Sequence, residues 1–174
     1  MSAIDSVTAL GRLLRDGALR DAYAAQPAQT IQDMDVLESD RATLLNLNTE
    51  DLEAQASVLL RKRFESISRL LPQTCARLRD EAWPSFAEYS RRWWPPREPA
   101  GVIDANQFFR HLEAKGKSVT PKSERNRIHF GLSHRRFAIY LTPDLFIRNR
   151  VRMGVQIFLR RSPAMWREYV IYCA

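Results

Sequence analysis

The spacing of the apolar residues changes once along this chain, near residue 117, and that change constrains the fold more than any other feature. Upstream, apolar side chains recur every three to four positions, the period of an α-helix with one buried face. Residues 4–15 place Ile4, Val7, Leu10 and Leu14 on one face, with Gly17 as the expected stop. A short helix over 18–25 ends at Pro27, and Ser39 is placed to cap one over 40–47. The longest helix starts at Asn48 or Thr49. It carries Leu52, Ala56, Leu59, Leu60, Phe64, Ile67, Leu70 and Leu71 at helical spacing, and stops at Pro72. Helices over 73–80 and 84–93 follow, then one over 105–115 capped by Asp104 and closed by Gly116.

Downstream the period becomes two. Ile128, Phe130 and Leu132 alternate with Arg127, His129 and Gly131. Phe137, Ile139 and Leu141, and later Val155, Ile157 and Leu159, repeat the pattern, and Trp166 to Tyr172 is a fourth β-rich run. Such alternation predicts antiparallel strands with one buried face. Ser133-His134, Pro143-Asp144 and Ser162-Pro163-Ala164 are the expected turns or loop openings. The expected class is α+β: a helical region over 1–116 that docks a partner, and a small antiparallel meander over 117–174. A length of 174 residues suits one domain or two small ones.

Charge divides the chain in the same place. Residues 1–50 hold 4 Lys/Arg and 8 Asp/Glu, a net −4; residues 51–116 hold 11 and 9; residues 117–174 hold 12 and 3, a net +9. The last segment's cations are mostly arginine, which grips carboxylate and phosphate bidentately. Its expected partner is anionic: an acidic peptide, an acidic protein surface or nucleic acid. If the apolar alternates face the core, Arg127, Arg136, Arg160 and Arg161 sit on the accessible face or its edge.

The inventory of reactive groups is short. None of the three histidines, His111, His129 and His134, pairs with a cysteine at zinc spacing, and neither a glycine-rich phosphate loop nor a nucleophile elbow occurs. The two cysteines, Cys75 and Cys173, do not make a disulfide scaffold and fit a cytoplasmic, reducing compartment; Cys75 reads as a core residue. No apolar run is long enough to span a membrane, and no basic signal region opens the chain. No catalytic residue and no metal ligand is expected. The aromatics are denser: Trp83, Phe86, Tyr89, Trp93 and Trp94 fall within twelve residues, with Phe108 and Phe109 beyond. Core packing accounts for most of them. Trp93, Trp94, Arg97 and Phe108 are the candidates for a partner interface, because Trp, Tyr and Arg dominate interface hot spots.

Leu59-Leu60-Arg61-Lys62-Arg63, Leu70-Leu71-Pro72, Trp83-Pro84-Ser85-Phe86 and Trp94-Pro95-Pro96, with Leu13-Leu14-Arg15-Asp16 before them and Phe158-Leu159-Arg160-Arg161-Ser162-Pro163 after, resemble a known family. It comprises the small partner subunits of iron-dependent oxidases that modify ribosomal peptides, as in the methanobactin (MbnC) and thiaglutamate (TglI) pathways. The resemblance implies an accessory subunit without cofactor of its own. A TIM-barrel partner holds the iron and oxidises a cysteine of the precursor peptide, to an oxazolone/thioamide unit in the methanobactin case. The small subunit forms a heterodimer with it and helps capture the peptide leader. On that reading Arg127, Arg136, Phe158, Arg160 and Arg161 bind the leader, which adds a strand to the sheet edge. The competing reading is a basic, winged-helix-like nucleic-acid-binding protein; against it stand Glu65 on the long helix and the acidic N-terminal third.

Overall fold

A computed structural model describes residues 3–91, 93–95, 100–148, 150–162 and 165–172. Among them, nine α-helices precede three β-strands: α1 (Ser6–Arg15), α2 (Gly17–Ala25), α3 (Pro27–Asp33), α4 (Glu38–Leu45), α5 (Thr49–Leu70), α6 (Pro72–Leu78), α7 (Ala82–Ser90), α8 (Ala100–Ala114), α9 (Lys122–Leu132), β1 (Phe137–Ile147), β2 (Arg150–Ser162) and β3 (Met165–Tyr172). The α+β class expected from the sequence is the class observed. Backbone contacts divide the chain into two compact units, residues 1–63 with 87–94, and residues 64–86 with 95–174.

The first unit is helical. Its core holds Ala9, Leu13, Tyr23, Ile31, Met34, Val36, Leu44 and Leu52. Two aspartates set the first helices. Asp5 Oδ1 accepts from Thr8 N at 2.7 Å and Asp16 Oδ1 from Leu19 N at 3.1 Å. Gly17 is therefore the first residue of α2 rather than the cap of α1, because a carboxylate at position 16 satisfies the new helix's free N–H groups. The buried side of α1 is Ala9 and Leu13, while Val7 is 77% exposed and Ile4 lies before the helix, bridged to Val36. Arg20, itself buried, donates Nη1 to the Leu13 and Leu14 carbonyls at the end of α1 and Nε to Glu53. The long helix begins where expected: Asn48 Oδ1 accepts from Glu50 N at 2.8 Å.

In the second unit, Phe64, Trp83, Phe86 and Phe108 form an aromatic cluster with centroids 5.3–6.0 Å apart. Glu124 of α9 is fully buried and receives Gln73 N at 2.5 Å, Thr74 N at 3.1 Å and Thr74 Oγ1 at 2.5 Å, closing the start of α6. Burial raises the Glu124 carboxyl above its ordinary range, against the lowering effect of these donors. Asp104 is not a cap: α8 begins at Ala100 and buries Asp104 within it. Gly131 lets α9 approach α8, since a Cβ there would stand 2.7 Å from Val102 Cγ1.

Residues 127–132, expected to be a strand, form the last turn and a half of α9. Two buried residues at a spacing of two, Ile128 and Phe130, fit a helix as well as a strand over so short a window. The decisive contacts are distant in sequence: Asp144 accepts from Lys122 N at 2.6 Å and Ser123 N at 3.0 Å, and so caps the helix from β1. The sheet is thus a three-stranded antiparallel meander in the order β1-β2-β3. Pro143-Asp144 does not open a loop. It forms a bulge inside β1, where the pairing shifts between Thr142 and Leu145. Pro163 and Ala164 lie outside the described residues.

Candidate docking face

The two faces of the sheet carry the reverse of the expected polarity. Toward α9 point Ala138, Tyr140, Thr142, Gly154, Gln156, Phe158, Trp166 and Glu168. Their alternates face outward: Phe137, Ile139, Leu141 and Phe146 from β1, Val151, Met153, Val155, Ile157 and Leu159 from β2, Arg167, Tyr169 and Ile171 from β3. Cross-strand pairs Phe137↔Leu159, Ile139↔Ile157↔Tyr169 and Leu141↔Val155↔Ile171 make this face continuous. Ile139 is 57% exposed, Leu141 64% and Ile171 61%.

The inner face explains the inversion. Half of it is aromatic: Phe130 of α9 stacks on Phe158 at 5.0 Å, with Trp166 and Tyr140 edge-on. The other half is a closed hydrogen-bond network. Asn126 Nδ2 donates to Thr142 Oγ1 at 3.0 Å and Gln156 Oε1 at 2.9 Å. Gln156 Nε2 donates to Ser123 O at 3.1 Å and Glu168 Oε1 at 2.8 Å. Glu168 then pairs with Arg127 at 2.7 Å. Each buried polar group found there has a partner, so burying Thr142 and Gln156 completely carries no desolvation debt. Gly154 admits the tight crossing at the bulge, because a Cβ would collide with the Ile171 carbonyl and Leu145. With α9 on this side, the opposite, aliphatic side has no cover among the described residues of the same unit.

The patch is large. Strands 4.8 Å apart and about ten residues long give a projected area on the order of 400–500 Å², before side-chain relief is counted. That is the size of the largest apolar patches on monomers, which are commonly functional. Among the described residues, eleven of the sixteen exposed large hydrophobics belong to these strands, so the exposure is concentrated and not scattered. The exposed arginines Arg135, Arg136, Arg148, Arg150 and Arg161 lie at the strand ends, with Arg167 on the face itself.

The arginines singled out from the sequence separate into two kinds. Arg127 lies on α9, not on a strand, and is committed to Glu168 and to the Leu70 carbonyl at 2.7 Å. Arg160 is half-buried on the inner side. Its Nη2 donates to the carbonyls of Phe130, Gly131 and Ser133 at 2.7–3.3 Å, its Nε to Arg135 O at 3.1 Å, and its guanidinium lies 5.0 Å from the Phe130 ring. It closes the C-terminus of α9. Phe158 is completely buried. Arg136 and Arg161 are exposed next to the apolar face.

The interface candidates also part company. Phe108 is fully buried in the aromatic cluster. In the first unit, Trp93 and Trp94 are half-buried; Arg63 lies 4.2 Å and Arg15 5.7 Å from the Trp94 ring, and Trp93 packs 5.8 Å from Tyr89. These two Trp rings line a cleft of about 400 Å³ with Arg15, Asp16, Ala18 and Arg91. Arg97 lies outside the described residues. Cys75 is half-buried, and burial together with Glu124 pushes its thiol up to about 11, far from the thiolate a nucleophile needs. Among the described residues, no three His, Cys, Asp or Glu side chains are grouped to hold a metal ion, and no helix is long and apolar enough to cross a membrane.

The outer face was legible in part: Phe137, Ile139, Leu141, Val155, Ile157 and Leu159 are alternates the pattern picked out, whereas Phe146, Val151, Met153, Tyr169 and Ile171 were not, and a strand pattern gives two faces without saying which one a helix will cover. No curated protein and no solved structure matches the chain. Residues 46–114, from the end of α4 through α8, are similar to the SCO6045-like C-terminal domain, a match that ends before the sheet and its apolar face.

Proposed function

We propose that this chain is a non-catalytic docking subunit, and that the outer face of β1-β2-β3 seats it on a larger protein. The observation carrying this is the sheet's two faces: inside, an aromatic half and a polar half whose hydrogen bonds are satisfied; outside, an aliphatic and uncovered side. The sequence resemblance supplies the partner's nature: a TIM-barrel, iron-dependent oxidase that modifies cysteine in a ribosomal precursor peptide, with the iron and the chemistry on that subunit. The leader of the precursor pairs with a free edge of β1 or β3, and Arg136 and Arg161 meet its carboxylates. The nucleic-acid reading gains less support: α9, the helix placed before the hairpin as a recognition helix would be, buries Ser123, Glu124, Asn126, Ile128 and Phe130.

The test is co-expression with a TIM-barrel iron oxidase of the kind the resemblance implies, sought among the neighbouring genes, followed by size-exclusion chromatography and light scattering. A 1:1 complex is expected for the wild type. It is lost in Ile139→Asp/Ile171→Asp, both already exposed, while the far-UV spectrum and melting of the isolated variant stay near wild type. A complex that survives this double substitution would remove the face from the interface.

A further inference from the structure

A second feature, remote in sequence from the strands and unrelated to the docking reading, lies in the second unit between the end of α6 and the loop after α8. Residues 77–81 and 116–119 enclose an open cavity of about 600 Å³. Arg79, on its wall, has φ 50° and ψ −124°. This is the mirror image of extended polyproline-like backbone, a conformation glycine adopts freely and a residue with a Cβ does not. Arginine here is costly, and glycine would serve the chain turn better.

The neighbouring cations are held in place by the fold. Arg77 Nη1 donates to Val119 O at 2.9 Å. Lys117 Nζ donates to Glu81 Oε2 at 2.6 Å and Ser85 Oγ at 3.4 Å. Lysine and hydrogen bonding keep the Glu81 carboxyl below its ordinary range, so it stays charged and anchors Lys117. Two arginines, a lysine and Ser118 line one concavity; Asp80 and Glu81, the latter paired with Lys117, lie on the same wall, which leaves it one net positive charge, and the strained residue is one of the arginines. Strain of this kind persists where surrounding structure enforces it, and it gathers at ligand sites.

We infer that this cavity is a binding site for a dianionic oxyanion, a phosphate ester or a dicarboxylate, and that Arg79 is kept in its strained conformation to present a guanidinium to it. A planar guanidinium bonds two oxygens of such a group at once, and the preset Arg77 and Lys117 lower the entropy lost on binding.

The test is a titration of the isotope-labelled full chain with inorganic phosphate and, in a second arm, with succinate, followed by backbone amide shifts at constant ionic strength. Saturable shifts confined to residues 77–81 and 116–119 are expected, and the tighter of the two arms identifies the anion class. Arg79→Gly should weaken binding about tenfold, while the melting temperature stays level or rises by up to about 4 °C as strain is released. Arg79→Ala, which removes the guanidinium but keeps a Cβ in the same backbone conformation, should weaken binding equally without the gain in melting temperature. Three outcomes overturn the inference: unchanged affinity in both variants, shifts that chloride reproduces, or a marked fall in melting temperature for Arg79→Gly, which would make Arg79 a purely structural residue.

Discussion

Arginine does three different jobs in this chain, and its count hides them. Arg20, Arg127 and Arg160 donate to the last carbonyls of α1, α5 and α9, where four C=O groups per helix lack intrahelical partners. Arg63 and Arg15 flank Trp94. Others, Arg136 and Arg161 among them, are exposed. Truncating Arg160 to Ala should destabilise the fold by about 2 kcal/mol, as several charge-assisted bonds to part-buried carbonyls are lost; Arg160→Lys should recover little, because an ammonium cannot reach the same fork of acceptors. Urea titration of the two variants separates these outcomes. The buried and capping carboxylates give opposite pH dependences. Asp40, which receives Ser6 N at 2.7 Å, is held below its ordinary range by hydrogen bonds. Its contribution is present above the unfolded value and is lost as pH falls through the folded one. Glu124 is raised by burial, so its contribution is full below the unfolded value and is lost as pH rises through the folded one. Replacing Glu124 by Gln should flatten the fall in melting temperature on the rising side, above the ordinary carboxylate range, and leave the acid limb in place.

At the level of elements, α9 is the pivot. It was the strand expectation that failed, and with it the assignment of faces. Local alternation at 127–132 carried no record of Asp144, Gln156 or Glu168, the groups that make α9 a helix and the polar side of the sheet the inner one. By contrast α5 was legible almost to the residue, because 22 residues of one period, an Asn cap and a following proline all agree. Of the site, six apolar alternates of β1 and β2 and the exposed Arg136 and Arg161 could be picked out. Phe158, Phe108, Arg127 and Arg160 could not be told from surface contacts, since burial depends on partners far along the chain. Because Gln156 sits at the centre of the inner network, Gln156→Ala should cost about 1–3 kcal/mol by removing one hydrogen-bond partner each from Ser123 O, Asn126, Thr142 and Glu168. Double-mutant cycles with Thr142→Val should reveal coupling, as the two side chains share a hydrogen bond of 2.7 Å.

For the whole molecule, the net +9 of residues 117–174 overstates what a ligand meets, since Arg127 and Arg160 are engaged within the fold. Charge reversal at Arg136 and Arg161 together should leave stability within about 0.5 kcal/mol of wild type, yet weaken capture of an acidic leader peptide by the complex. Raising the salt concentration should narrow the difference between variant and wild type, since exposed pairs are screened. A binding constant that falls as a steep power of salt on DNA or RNA, and not on the peptide, would favour the nucleic-acid reading.

The uncovered aliphatic side of the sheet has a consequence for the cell that makes it. In translation, the helices leave the ribosome before β1-β2-β3, and the strands then fold into a surface that water wets poorly. An orphan copy offers this surface, and two open strand edges, to chaperones, proteases and other orphans. On the docking reading proposed above, survival of the chain would follow the supply of the partner that covers it. Stoichiometry would be enforced by clearance of the surplus, with no regulator beyond the sheet itself.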